Sequence, residues 1–345
     1  MNTPRPMVML ILLLTLAGCH SPPAPVFPAV SPPRVWPRPP DRPRIQYVGQ
    51  LRGEASLGVK PRGWDAVRAV ITGPPPSIEF VRPSAVAVIG ERVYVADAGL
   101  GVVHLLDLTQ RHYKAIRGAP ADPLQAPVDV VAMADETIAV VDRRRAATDL
   151  LDRNGEWQTT WRTDELKAPT GAAWNAHQGQ LWVVDVGAHA CFGWQRGEVV
   201  RRFGQRGSTP GQFNFPSAVT WHPLVGLVVA DAMNFRVQVF DDAGRPRAVF
   251  GQKGDGAGNF ARPRDVAVDS EGHIYVLDNQ FENVQIFDRE GQLLMAFGQS
   301  GPGPGEFALP AGITIDQQDR IWIADSYNRR VQVFQYLPED ALCAR

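Results

Sequence analysis

The chain predicts an all-β fold, a ring of six four-stranded blades around a central channel, and three observations carry that expectation. First, FGQRGSTPGQFNFP, FGQKGDGAGNFARP and FGQSGPGPGEFALP are near copies beginning at Phe203, Phe250 and Phe297, 47 residues apart; a fixed period of this size marks a repeat architecture. Second, the stretch after Pro263 holds four short runs rich in Val, Ile, Phe and Tyr, separated by Asp-Ser-Glu-Gly, Asp-Asn-Gln and Asp-Arg-Glu-Gly, as strands joined by tight turns require. Third, the last unit stops after its third strand, at Phe334, while residues 44–53 (RIQYVGQLRG) supply a spare strand at the other end. An N-terminal strand that completes the last blade closes a β-propeller and removes its open edges.

The units start at Pro83, Pro127, Pro169, Pro216, Pro263 and Pro310, and the second strand of each ends in Asp97, Asp142, Asp185, Asp231, Asp278 or Asp325. These aspartates recur with the repeat, as do Arg236 and Arg330, so they are assigned to the scaffold: Asp accepting from turn amides, Arg tying neighbouring segments. In the closing copy, Gly49-Gln50 is placed opposite Gly204-Gln205, Gly251-Gln252 and Gly298-Gln299, and Phe80 to Pro83 opposite Phe260 to Pro263. In the third unit, His189-Ala190-Cys191 is placed opposite Arg236-Val237-Gln238.

The pattern P-x-x-(apolar)-A-V-D…G-x-I-Y-V-A-D-S-x-N-x-R-V-Q-V-F-D…G…F-G resembles the NHL repeat over residues 44–336, most closely at 226–240, 274–287 and 321–334. The resemblance implies a six-bladed propeller of NHL type.

The N-terminus answers a different question. A basic start, an apolar run at 7–16 too short to span a bilayer, and Leu16-Ala17-Gly18-Cys19 resemble a bacterial lipoprotein signal. The expected organisation is a signal peptide at 1–18, a lipid on Cys19, a Pro-rich tether at 19–43, the propeller at 44–336 with a helical insert at 54–79, and a tail at 337–345. The proline density predicts an extended tether with a reach of about 70 Å, with docking of Val26, Phe27, Val35 and Trp36 on the ring as the other outcome. The expected location is the bacterial cell envelope, the outer membrane by the His20 that follows the cysteine. Cys191 and Cys343 are expected on different sides of the ring and unpaired.

Lys plus Arg is 35 against 36 for Asp plus Glu, a net charge of −1, which gives no overall field for a nucleic acid. There is no Cys-x-x-Cys-His haem site, no phosphate loop, and no histidine on a channel strand, so neither catalytic residues nor a cofactor are expected. On the innermost strands, small residues such as Ala85, Gly171, Ala218 and Gly312 are expected to face the axis. The larger alternates Val86, Val88, Trp174, Val219, Trp221, Val266, Ile313 and Ile315 are expected between blades. Asp129 and Asp265 break the small-residue rule on opposite blades; they are weak candidates for a shared cation or acid–base work, or else bind backbone amides, with Arg264 beside them.

Function is therefore sought where the repeat is broken. Trp64, Val67, Val70 and Ile71 fall at helical spacing in the insert, a plug or a docking helix placed at one end of the ring. That end also carries Arg143, Arg144 and Arg145, Met233, Asn234 and Phe235, Gln280, Phe281 and Glu282, and Tyr327, Asn328 and Arg329, a contact face or a solvated rim. The sequence thus predicts a lipid-anchored envelope scaffold that binds a protein or glycan, with exported multihaem cytochromes as partners by analogy only. The alternative is a metal-dependent propeller hydrolase or lyase using Asp129 and Asp265.

Overall fold

A computed structural model describes residues 24–59, 64, 71–73 and 76–338. From the axis outwards, blade one is Pro83–Ile89, Arg92–Asp97, Val102–Asp107 and His112–Ile116. Blade two is Pro127–Ala132, Ile138–Asp142, Ala147–Leu151 and Trp157–Arg162. Blade three is Pro169–Asn175, Gln180–Asp185, Ala190–Gln195 and Glu198–Phe203. Blades four and five repeat the order from Pro216–His222 to Pro246–Phe250 and from Pro263–Val268 to Leu293–Phe297; His222, expected off the channel strands, ends the innermost strand of blade four, paired with Gly226.

Blade six takes Gly312–Ile315, Arg320–Asp325 and Arg330–Tyr336 from the C-terminal end and Ile45–Leu51 from the N-terminal end. The six-bladed, all-β expectation and the N-terminal closure hold. The register of the closing strand differs from the sequence alignment. Leu51 pairs with Val331 as Phe250 pairs with Val237, so Gly49-Gln50 lies inside the strand. The Arg52 carbonyl accepts from the Phe80 amide, as the Gln252 carbonyl accepts from Phe260. This copy lacks one loop residue, and pairing, not motif likeness, sets the register. In blade three, Asp185 pairs with Ala190 as Asp231 pairs with Arg236, so Ala190, Cys191 and Phe192 take the Arg236, Val237 and Gln238 places. His189 is left in the turn at φ +53°.

The core has six apolar clusters among the described residues, and each is shared by two neighbouring blades, including blade six with blade one. Each sheet therefore buries both faces, which is why the second strands read as continuous apolar runs rather than alternating ones. Burial of such area is the main stabilising term. The FGQxGxxxGxF loop has a packing reason. Gly251 sits at φ +87°, and a Cβ there would meet the Phe260 ring at 2.2 Å; Phe260 folds back to bridge Lys253 in parallel and packs at a tilt on Phe287, with ring centroids 5.7 Å apart. The glycine is what allows the phenylalanine to lie there.

Residues 24–43 do not extend away from the ring. Val35–Trp36 adds a short fifth strand to blade six, Trp36 packs on Phe297 and Phe334, and Phe27 packs on Trp322. The aromatic side chains of the Pro-rich segment bury apolar area that a free tether would leave in water, so docking wins. The signal region, Cys19 and Cys343 lie outside the described residues. Cys191 is a free, fully buried thiol, and burial pushes its pKa up, with the Asp231 charge adding to the effect.

The insert is pinned at its base by pairing of Gly53 with Glu79. Its first leg, Glu54–Leu57, packs on the outer strand of blade one. The Leu57 carbonyl there accepts from Arg111, in a turn at the opposite end of the blade. This leg runs down the outer wall, not across the end of the ring as expected. Trp64, Ile71 and Thr72 are helical, and Trp64 and Ile71 are exposed; Val67 and Val70 lie outside the described residues.

Each repeat Asp is fully buried and accepts several hydrogen bonds at once, all but one of them from side chains at Asp231 and Asp325. Asp278 takes Ala261 and Arg262 from the loop before its blade and Gln280 and Phe281 from the turn after it, at 2.8–3.0 Å. Asp278→Ala is expected to lower unfolding stability by about 3 kcal/mol or more, because four donors lose a charged acceptor in a buried site. The exposed control Asp255→Ala should change it by less than about 0.5 kcal/mol; urea midpoints of the two variants check the contrast.

Candidate functional site: the two ends of the channel

The strand register puts the loops that enter each blade and the turns between second and third strands at one end of the ring. Here the structure sorts the candidates. Arg143, Arg144, Gln280, Tyr327 and Arg329 are exposed, and Phe235 and Phe281 are half-buried. Arg145 is turned inward. Its guanidinium spans both oxygens of buried Asp149 at 2.8 and 3.2 Å and reaches Asp122 at 3.0 Å; Asp149 stands at the strand position where Gln238, Gln285 and Gln332 hold the loop in blades four to six. Asn234 and Asn328 are also structural: each donates to its blade's Asp and to a loop carbonyl, Gly207 or Gly301. The same end exposes Val81, Leu100, Phe215, Met233 and Leu309, which precede the strand prolines or sit in the turns. An apolar residue before a conserved-spacing proline, as in Phe215-Pro216 and Leu309-Pro310, was the available signal.

Around the axis at this end, neighbouring blades are clamped by polar side chains near the start of the innermost strand. The Ser84 hydroxyl donates to the Pro127 carbonyl, Thr170 to Pro216 and Ser217 to Pro263. Where no hydroxyl stands, an Asp one residue later takes over. Asp129 accepts from Ala172 of blade three at 2.7 Å, and Asp265 from Ile313 of blade six at 2.7 Å. Each also accepts its following amide, Val130 or Val266, at 2.8 Å. Between blades six and one a close approach replaces the clamp: a Cβ on Gly312 would meet the Ser84 carbonyl at 2.4 Å. The two carboxylates therefore bind backbone amides. No group of three or more potential metal ligands occurs among the described residues.

Burial raises the pKa of both aspartates. For Asp129 the facing Asp265 charge adds to the rise, and backbone amides and Arg264 oppose it.

Below the clamps lies a cavity of about 280 Å³. Its walls include Trp174 and Trp221, which the alternation rule assigned to packing between blades. The other residues of that parity, from Val86 to Ile315, also border the cavity. Twisted strands that diverge toward one end let both parities reach the space between them. The cavity continues at the far end into a mouth of about 600 Å³ that shares Val88, Ala132 and Trp174 with it. The sequence placed activity at the loop end; this continuous space opens at the other.

Charge is unevenly spread between the ends. The loop end exposes Arg82, Arg143, Arg144, Lys167, Arg262 and Arg329 beside Asp164, Glu165 and Asp255, whereas at the far end the turns after the innermost strands expose Glu91, Asp135, Glu136 and Glu271 and the outer turns expose Arg153, Arg196, Arg245 and Arg289.

Residues 212–281 and again 269–337 match the family model DUF5128, described as a 6-bladed beta-propeller. No curated protein matches the chain. Among solved structures, the chain resembles an auxiliary nutrient binding protein from Bacteroides ovatus ATCC 8483, at 12% identity and a TM-score of 0.60 over 77% of this chain and 71% of that one. It also resembles virginiamycin B lyase from Staphylococcus aureus, at 11% identity and a TM-score of 0.57 over 74% of this chain and 96% of that one. The third is Kuenenia stuttgartiensis hydrazine synthase, at 15% identity and a TM-score of 0.54 over 75% of this chain and 86% of that one. At these identities the likeness is one of fold.

Because the folded pKa values of Asp129 and Asp265 lie above the unfolded ones, folding holds protons that the unfolded chain releases. That contribution is complete below the ordinary carboxylate range and is lost as pH rises through the elevated values. Urea midpoints of the wild type should therefore fall from mildly acidic to neutral pH more steeply than those of Asp129→Asn, and equal slopes would contradict the assignment.

Proposed function

We propose that the protein is a non-catalytic, lipid-anchored propeller of NHL-repeat type in the bacterial cell envelope, held at the outer membrane, whose loop end binds an envelope protein. The observation that carries this reading is the mixture on that end: Tyr327 at 76% exposure, Leu309 at 54% and Met233 at 47% stand among exposed arginines. Aromatic, Met and Arg side chains are the types enriched where proteins meet, and the surplus of positive charge suits an acidic partner. A glycan is the other ligand this face suits, through Tyr327 and the arginines. The backbone engagement of Asp129 and Asp265 favours a scaffold role over metal-dependent hydrolysis or lyase chemistry.

If Cys19 carries a lipid, docking of the segment from Ala24 onwards changes the geometry of anchoring. Four residues, 20–23, lie between Cys19 and Ala24, a span of at most about 18 Å. The domain then sits close to the bilayer, and a partner reaches it at the membrane surface.

Replacing Tyr327, Leu309 and Met233 together by Ser is expected to abolish capture of the partner retained by the wild type from detergent-solubilised envelopes. Leu224→Ser, exposed at the opposite end, should leave capture unchanged, and equal retention by the triple variant removes the loop end as the site. Cys19→Ala is expected to move the protein from the membrane pellet to the soluble fraction; continued sedimentation with membranes overturns the anchor.

A further inference from the structure

We infer that the central cavity is a binding site for a small organic cation, an ammonium group on an apolar or aromatic body, admitted from the end opposite the loops. This does not depend on the loop-end reading, because the two surfaces lie at opposite ends of the ring.

The cavity and its mouth, about 280 and 600 Å³, are of the size of small-molecule sites. Most of the side chains that line them are Ala, Val, Ile and Trp, with Thr220, Thr314, Gln317 and Gln318 as neutral polar groups. The charged groups that border them are all acidic: Asp129, Asp265 and Asp316 inside and Glu136 at the mouth, with no Lys, Arg or His among the lining residues. Asp316 is neutralised by Arg320 at 2.6 Å, and Glu136 pairs with Arg153. Asp129 and Asp265 have no such partner within salt-bridge distance among the described residues. Each of their oxygens accepts one backbone amide, which leaves acceptor capacity on each carboxylate.

Arg264 acts electrostatically on both but does not line the cavity. No cationic side chain lines the cavity to offset an anion beside the two carboxylates, and a neutral apolar molecule would leave their remaining acceptor capacity unused. An ammonium group between them instead makes charge-assisted hydrogen bonds. Trp174 and Trp221, further along the walls, supply faces for the apolar body or for the cation itself.

The test is isothermal titration calorimetry of the full chain with phenethylamine, 2-phenylethanol and hydrocinnamate, which share one body and differ in head group. The amine is expected to bind at one site per chain, the alcohol about tenfold or more weaker, and the carboxylate not at all. Asp129→Asn and Asp265→Asn should each weaken the amine by about tenfold while leaving the alcohol unchanged. Thr220→Phe, which fills the cavity, should remove both. Equal affinity of amine and alcohol, amine binding indifferent to the two Asn variants, or no amine heat up to about 10 mM overturns the inference. The wild-type comparison of head groups decides the matter even if a variant fails to fold.

Discussion

A buried carboxylate at the end of the second strand is the interaction on which the rest of this ring depends. Asp97, Asp142, Asp185, Asp231, Asp278 and Asp325 are all 0% exposed. In each blade one oxygen binds the loop that enters the innermost strand, and in most blades the other binds the turn that follows. A charge is costly to bury unless fully hydrogen-bonded, so the backbone of both segments must converge on it. That requirement fixes where each blade begins relative to where its second strand ends. It also fixes the direction in which the short side chains at the rim point.

Variation between blades follows from this constraint. In blades four and six, Asn, Arg and Gln join the carboxylate and hold the long glycine loop. Blade one has His104 on Asp97 and Tyr113, and blade two has Arg145 on Asp149. Each substitution keeps a polar group against polar partners in a buried place. Residues that looked like surface contacts by their position in a turn were drawn inward for the same reason: Arg145, Asn234 and Asn328 satisfy buried acceptors and carbonyls. What remains at the loop end for recognition is the set with no acceptor to serve, the apolar Tyr327, Leu309, Met233 and Phe215 and the outward arginines.

The candidate sites were therefore only partly legible. Asp129 and Asp265 stood out because they interrupt a row of small residues, and the sequence left their role open between ligand and backbone. The structure shows the backbone role plainly: each replaces a hydroxyl clamp missing from its blade. Their relation to Trp174 and Trp221 was hidden, because a period of two assigns the tryptophans to the opposite side of the strand. Docking of Trp36 and Phe27 was visible only as an alternative to a free tether, since proline density speaks to local conformation and not to what an aromatic ring finds to pack on.

By itself the sequence determined the blade count, the strand order and the closure of the ring by an N-terminal strand. These follow from a 47-residue period and from where the hydrogen-bonding runs begin and end, which are properties of a chain read along its length. The tertiary structure alone decided the register of the closing strand, the inward turn of Arg145, Asn234 and Asn328, and the cavity between the innermost strands. The physical reason is that these depend on distances between residues from different blades. Pairing geometry, the twist of each sheet and the convergence of six strands on one axis set those distances, and no single repeat contains them.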